Sequence, residues 1–195
     1  MDQAANPLGL VRAWYEAAVA AGLPEPNAMA LATASADGAP AVRFLLLKGI
    51  DDDGVRFYTN YESRKGRELA ANPRAALAMY WNPLARQVRM EGPVERLDDE
   101  DSDAYFASRA VGSRLGAWAS PQGRPIPDRE WLEARAAEAA ARYPGEDIPR
   151  PPYWGGYLLR PSAIELWQGR PNRLHDRRRF VRGDDGTWSE QRLAP

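Results

Sequence analysis

The chain has 195 residues, of which 26 are basic, 27 are acidic and 44% are hydrophobic. This length supports one sizeable core, and a net charge of −1 argues against a protein that coats nucleic acid or binds membranes through bulk charge. Cysteine is absent and histidine occurs once, which excludes disulfides and thiolate chemistry and disfavours a transition-metal site.

The start of the chain carries no targeting signal. The segment Met1–Asn6 has no basic region and no apolar core, and no later apolar run approaches the length of a membrane span. We therefore expect a cytoplasmic protein. Asn6-Pro7 predicts the start of a helix that ends near Gly22.

Three strands are predicted next, over residues 28–35, 41–48 and 55–59. Asp37-Gly38 and the turn at Gly54 are short connections, which indicates an antiparallel meander. The apolar run Leu45–Leu47 predicts burial on both faces of the second strand.

A helix is predicted from Arg64 to about Ala71, with Ser63 as its N-cap. Arg64 and Lys65 put two cations in the first turn, where the helix dipole disfavours them. A phosphate bound there would resolve the conflict. Two basic side chains facing solvent explain the pattern equally well.

Strands are predicted over 74–81 and 86–97, with a bulge or an edge at Gly92-Pro93. Gln87 shares a polar face with Arg89 and Glu91, which suits solvent exposure or recognition of a ring's amide edge.

Asp98 caps the next predicted helix. If that helix is continuous, Tyr105, Arg109 and Ser113 lie on one face and offer three donors to a phosphate. By spacing alone, an ordinary amphipathic surface is favoured.

The rest of the chain predicts a loop over 116–125, a helix from Asp128 to about Tyr143, a connector over 144–152 and strands over 157–159, 164–168 and 187–193. The sum is seven or eight mostly antiparallel strands with attached helices, which favours a mainly β barrel.

The segment Trp167–Arg177 contains the single histidine. Arg173, His175 and Arg177 alternate, so a strand would place them on one face, suited to an anion or an electron-rich ring. A solvated edge strand is the alternative. Gly169–Asn172 predicts a turn that folds this segment back toward Trp167.

Several of these motifs occur together in one known family. They are Arg43-Phe-Leu-Leu-Leu-Lys48, Phe57-Tyr-Thr-Asn-Tyr-Glu-Ser-Arg-Lys65, Arg86-Gln-Val-Arg89, Tyr105-Phe-Ala-Ser-Arg109, Trp154-Gly-Gly-Tyr157, Trp167-Gln-Gly169 and Arg173-Leu-His-Asp-Arg177. With them the chain resembles the FMN-dependent pyridoxine/pyridoxamine 5′-phosphate oxidases. The resemblance implies a Greek-key split β-barrel homodimer with FMN at the subunit interface. It also implies a single domain over 1–195, whose dimerisation and substrate segment begins at about residue 153.

The resemblance implies three sets of site residues. The FMN-binding set is Arg43, Phe44, Leu45, Leu46, Leu47, Lys48, Tyr58, Thr59, Arg64, Lys65, Gln87, Gln122, Gly123, Trp167 and Arg177. The substrate-binding set is Lys48, Tyr105, Arg109, Ser113, Arg173, Leu174 and His175. Arg173 and His175 form the catalytic set, and no metal is implied.

The implied reaction oxidises a phosphorylated pyridine substrate to pyridoxal 5′-phosphate, with O2 as the acceptor and H2O2 as a product. Three departures from the family pattern concern the substrate: Gln122-Gly123 replaces a Gln-Ser pair, Ala110 replaces a proline, and the longer N-terminal arm of family members is not seen. The alternatives are an FMN oxidase of the same fold that aromatises a phenazine-like intermediate, and a non-catalytic flavin or vitamin carrier.

Overall fold

The computed structural model describes residues 6–195. Residues 1–5, part of the segment expected to lack a signal and of the predicted single domain, lie outside the described residues. The described residues form ten strands: β1 (Ala28–Ala34), β2 (Pro40–Leu46), β3 (Gly49–Ile50), β4 (Val55–Asn60), β5 (Arg74–Trp81), β6 (Arg86–Arg96), β7 (Trp154–Leu159), β8 (Ala163–Gln168), β9 (Asp176–Arg182) and β10 (Trp188–Arg192). Their α-helices are α1 (Leu8–Ala20), α2 (Arg64–Ala71), α3 (Asp99–Ser108), α4 (Val111–Ala119) and α5 (Arg129–Arg142).

All strand pairings are antiparallel and follow the order β10-β9-β8-β6-β5-β1-β2, with β7, β4 and β3 continuing from β6 on a second branch. The long strand β6 joins the two branches, because residues 86–91 pair with β8 and residues 94–96 pair with β7. This curled, divided sheet with its five attached helices confirms the predicted mainly β split barrel.

At Gly92-Pro93 the predicted bulge is absent, because the β5–β6 register is unbroken from Arg74↔Pro93 to Trp81↔Arg86. The predicted edge is confirmed on the other side of β6, where the ladder with β8 ends at Glu91 and the ladder with β7 begins at Val94. Gly92 is needed for a close approach instead, since a Cβ there would lie 2.1 Å from the carbonyl oxygen of Arg160. The glycine therefore lets β6 pass from one branch of the sheet to the other.

The core lies on the inner face of the main sheet. Met29 and Leu31 of β1 and Leu77 and Met79 of β5 are almost fully buried. Helix α1 covers this core with Leu8, Val11 and Ala18, as its periodicity predicts, and Gly22 follows the helix with a φ of +65°. Each buried leucine, valine or methionine side chain of this core contributes roughly 1.5–3 kcal/mol to folding.

The expected burial of Leu45–Leu47 on both faces is only half right. Leu47 is buried, but Leu46 is exposed, as are Val42 and Phe44 on the same outer face of β2. Nothing among the described residues packs over this face of β2, which is also the last strand of the main sheet, with β1 as its neighbour.

The predicted loop over 116–125 is wrong in its first part, because α4 continues to Ala119. No helix between residues 6 and 195 combines the length and the apolar character needed to cross a membrane. Within the same range, no three His, Asp or Glu side chains converge into a group that could hold a metal ion.

Candidate active site

A cavity of about 690 Å³ lies between β2, β4, α2 and the α3–α4 junction. Its walls combine cationic, aromatic and amide side chains. They are Arg43, Phe44, Leu45, Leu46, Lys48, Tyr58, Thr59, Lys65, Tyr105, Arg109, Ala110, Ser113, Gln122 and Trp154. Most of the residues predicted to bind FMN are among them, together with Lys48, Tyr105, Arg109 and Ser113, predicted to bind the substrate.

One wall is the start of α2, which begins where the sequence predicts. Ser63 has an extended backbone, and its side chain accepts a hydrogen bond from Gly66 N at 3.3 Å. Lys65 is buried, with Nζ 3.1 Å from Thr59 Oγ1 and 3.4 Å from Gln122 Oε1. Burial, and next the Arg43 guanidinium, lower the pKa of Lys65 to about 8. An anion in the cavity would favour the charged form of this lysine.

Sequence reasoning missed Glu68, which organises this wall. Its buried carboxylate accepts a hydrogen bond from Thr33 Oγ1 and lies 3.1 Å from Arg43 Nη2 and 2.7 Å from Arg64 Nε. The two arginines are thereby held on one carboxylate. The i,i+4 spacing of Arg64 and Glu68 is the one signal in the sequence that predicts part of this network.

An aromatic stack forms the opposite wall. The rings of Tyr58 and Tyr105 are stacked at 3.8 Å, and Trp154 lies parallel to both. The guanidinium carbon of Arg109 is 4.6 Å from the centre of a Trp154 ring. Trp154 was not predicted as a site residue, because its place in the wall depends on β7 pairing with β4.

The continuous helix that would align Tyr105, Arg109 and Ser113 on one face does not form. Helix α3 ends at Ser108, Arg109 is extended with ψ 150°, and α4 begins at Val111. The three side chains still line the same cavity. Arg109 Nη1 is buried there without a hydrogen-bond partner among the described residues, and burial lowers the pKa of this guanidinium. An anionic ligand would satisfy that donor.

A second group of predicted residues lies on the outer face of the main sheet. Strand register places Gln87, Trp167 and Arg177 directly opposite one another on β6, β8 and β9. Arg177 Nε donates to Glu165 Oε1 at 2.8 Å, and Glu165 is itself buried. Glu165 was also missed, because its role depends on the β8–β9 pairing.

The expected strand carrying Arg173, His175 and Arg177 on one face is wrong, since β9 begins only at Asp176. Arg173 ends a single 3-10 turn, with φ +62° after Asn172 at φ +57°. The predicted reversal is confirmed: Trp167 pairs with Arg177, and the Trp167 and His175 rings lie 4.6 Å apart. Arg173 and Leu174 are exposed.

The remaining predicted residues do not line the cavity. Leu47 is in the core. Arg64, at the start of α2, lies near Gly123, because a Cβ on Gly123 would be 3.8 Å from Arg64 N. The chain therefore carries two groups of predicted site residues. One group surrounds the cavity, and the other lies on the outer face of the main sheet and in the turn between β8 and β9.

Comparison with known proteins gives one consistent result. Residues 15–143 match the family model for pyridoxamine 5′-phosphate oxidase, and residues 154–195 match that for the C-terminal dimerisation region of pyridoxine 5′-phosphate oxidase. A relative from Cupriavidus necator, called pyridoxine/pyridoxamine 5′-phosphate oxidase, is 58% identical over 194 residues, covering 100% of this chain and 91% of the relative. One of the same name from Salinibacter ruber is 56% identical, covering 97% and 89%.

Two solved structures share the fold along nearly the whole chain. PhzG from Burkholderia lata 383, crystallised with tetrahydrophenazine-1-carboxylic acid, has a TM-score of 0.93 and 36% identity, covering 100% of this chain and 95% of PhzG. A pyridoxamine 5′-phosphate oxidase-related, FMN-binding protein from Nostoc punctiforme has a TM-score of 0.78 at 24% identity and covers 98% of both chains, which shows the fold alone.

The fold and these relatives together define an oxidoreductase of the split-barrel class. Within that class, the chain belongs to the pyridoxamine 5′-phosphate oxidase family.

Proposed function

We propose that this protein is an FMN-dependent oxidase that converts pyridoxamine 5′-phosphate, pyridoxine 5′-phosphate or both into pyridoxal 5′-phosphate, with O2 as acceptor and H2O2 as product. The observation that carries the proposal is the cavity itself. It combines a buried Arg109 donor, which has no hydrogen-bond partner in residues 6–195, with Lys48, Tyr105 and Ser113, in a chain 58% identical to a relative of that name.

The residues around the start of α2 fit the phosphate of FMN. Arg43 and Lys65 line the cavity there, and Lys65 is buried. Burial and Arg43 lower the pKa of Lys65 more than Glu68 raises it, so a bound anion would stabilise its charged form. Arg64 is a third cation in this region, because its guanidinium pairs with the same Glu68 carboxylate as Arg43. Thr59 and Gln122 offer further polar contacts, and the apolar residues of β2 suit the ring system. FMN supplies the hydride-accepting chemistry that no side chain of this protein can provide.

A second part of the cavity fits the phosphate of the substrate. It is the Arg109 cluster, which comprises Lys48, Tyr105, Arg109 and Ser113. Lys48 Nζ lies 6.0 Å from the centre of the Tyr105 ring, and Arg109 lies over the neighbouring Trp154 ring. A guanidinium and a hydroxyl can each donate to phosphate oxygens, so these residues would bind and orient the substrate. The stacked rings of Tyr58 and Tyr105 would give the bound substrate an apolar surface on one side of the cavity.

We further propose that a homodimer completes the site. Val42, Phe44 and Leu46 expose an apolar outer face on β2, next to the cavity, and residues 154–195 match a dimerisation region. The outer-face row Gln87, Trp167 and Arg177 would then meet the cavity of the partner chain, bringing Arg173, Leu174 and His175 to the substrate. On this proposal residues 1–195 form one functional domain, whose segment from about 153 serves dimerisation and substrate binding.

Oxygen uptake by the FMN-loaded protein tests the function. Pyridoxamine and pyridoxine 5′-phosphates are compared with their unphosphorylated forms. Turnover of the phosphorylated compounds alone is expected, because the Arg109 cluster would recognise the phosphate. Flavin binding without turnover of any of the four would refute the proposed reaction.

A second candidate is oxidation of a reduced phenazine carboxylic acid, which the structural similarity to PhzG favours. The higher identity to the oxidases that carry the pyridoxine name, 58% against 36%, favours the first candidate. Oxygen uptake with tetrahydrophenazine-1-carboxylic acid separates the two.

A further inference from the structure

His175 is the only histidine of the chain, and a backbone group defines its ring chemistry. The N–H of Arg170 donates a hydrogen bond to His175 Nδ1 at 3.1 Å across the turn between β8 and β9. A nitrogen that accepts a hydrogen bond carries a lone pair and no proton. In a neutral imidazole, the proton is then on the other nitrogen, Nε2.

We propose that the Arg170 N–H holds neutral His175 as the Nε2–H tautomer, so that the ring meets the substrate as a hydrogen-bond donor and not as a base. The tautomer follows from the turn alone, whereas the identity of the ligand rests on the proposed function. The oxygen atoms of a phosphorylated pyridine substrate, on the phosphate and on the ring, are the acceptors that such a donor recognises.

The turn restrains the ring in this orientation. The side chain of Arg170 pairs with Asp176 at 2.6 Å, which closes the turn from the other end. The Trp167 ring packs against the imidazole with ring centres 4.6 Å apart. Rotating the ring by half a turn would put a carbon atom at the Arg170 N–H and remove its acceptor, which is unfavourable for a backbone donor.

The backbone between these contacts is itself constrained. Asn172 and Arg173 both have left-handed φ values, a conformation that asparagine adopts readily and that is uncommon for a long side chain such as Arg173. The contacts of Arg170 and Trp167 therefore restrain the position of the turn and of the His175 ring, whose Nε2 side is left for a ligand. On this proposal the neutral His175 ring does not accept a proton from the substrate, so another group must do so.

The direct test is a long-range proton–nitrogen correlation spectrum of the FMN-loaded protein labelled with ¹⁵N-histidine. The single histidine makes every imidazole signal assignable without variants. In the neutral form, we expect an unprotonated Nδ1 and a protonated Nε2. A protonated Nδ1, or averaged shifts from two exchanging tautomers, would overturn the proposal. The spectrum needs no turnover, so it stands even if the proposed reaction fails.

A matched pair of variants tests the donor role once turnover is established. His175→Gln keeps an N–H group near the position of Nε2, whereas the isosteric His175→Glu offers only acceptor oxygens. We expect a KM at least about tenfold higher for the Glu variant than for the Gln variant. Equal KM values, or the reverse order, would refute donation by His175.

Arg170→Ala separates the backbone group from its side chain. This variant keeps the N–H but loses the pair with Asp176. The Nε2–H tautomer should persist in its spectrum. A mixture of tautomers in this variant would show that the side-chain pair, not the N–H, sets the ring chemistry, and would contradict the assignment.

Discussion

At the residue scale, the cations around the cavity are either buried, as Lys65 is, or paired with the one carboxylate of Glu68, as Arg43 and Arg64 are. Among them, Lys65 changes its charge near pH 8. Its pKa is lowered to about 8 by burial and by Arg43. On the proposed function the protonated form would bind the phosphate of FMN, so raising the pH above about 8 would remove the charge from the free protein and weaken that binding.

We therefore expect the Kd for FMN to rise above pH 8, by up to about tenfold per pH unit because one proton is involved. Fluorescence titration measures it, with riboflavin, which lacks the phosphate, as the ligand control. Lys65→Met should weaken FMN binding roughly 10- to 100-fold and abolish the pH dependence. An identical pH dependence for FMN in the variant would contradict the role of Lys65.

The buried Glu68 carboxyl makes the stability of the folded protein depend on pH. Burial raises the pKa of this carboxyl, but its hydrogen bonds from Thr33 and the two arginines outweigh burial, so the pKa lies below its ordinary 4.5. A lowered folded-state pKa contributes stability that is complete above pH 4.5 and is lost as the pH falls through the folded value.

Glu68→Gln should lower the free energy of unfolding by about 1–3 kcal/mol at pH 7 and reduce its decline with acidification, as urea titrations would show. Glu62→Gln is the matched control, because the pair of Glu62 with Arg124 is more than half exposed on both sides and should cost less than about 1 kcal/mol. Equal losses in the two variants would argue against a special role for Glu68.

At the scale of elements, the sheet depends on the passage of β6 from one branch to the other. Gly92→Ala would force a Cβ against the carbonyl of Arg160 and should lower the free energy of unfolding by about 3 kcal/mol. Gly9→Ala on the exposed side of α1 meets nothing within 4 Å and should be neutral or stabilising by up to about 1 kcal/mol. Chemical denaturation compares them, and a mild effect at Gly92 would refute the close approach.

The elements also show where sequence patterns succeed. Strand β5 and helix α2 have the predicted boundaries, since alternation and a serine N-cap are local signals. The α3–α4 break and the late start of β9 were missed. Spacing of side chains alone does not reveal that Arg109 leaves the helix or that Arg173 has a left-handed backbone.

At the scale of the whole molecule, the proposed dimer predicts the effect of a charge on the outer face of β2. Val42 is 69% exposed in the single chain. Val42→Glu should shift the protein from dimer to monomer in sedimentation and weaken FMN binding, because a buried carboxylate would oppose the interface. Val19→Glu, on the half-exposed side of α1, is the control and should leave the dimer intact. A stable dimer in the Val42 variant would refute this interface.

Local sequence signals predicted the antiparallel mainly β class, most element boundaries and a set of candidate site residues. Those features come from local periodicity, caps and a set of ordered motifs. Which of these residues come into contact is set by the tertiary fold. The convergence of Arg43 and Arg64 on Glu68, the row Gln87–Trp167–Arg177 and the hydrogen bond to His175 Nδ1 depend on strand pairing and chain reversal. Contacts between residues far apart in the chain follow from register and packing, which no local pattern encodes.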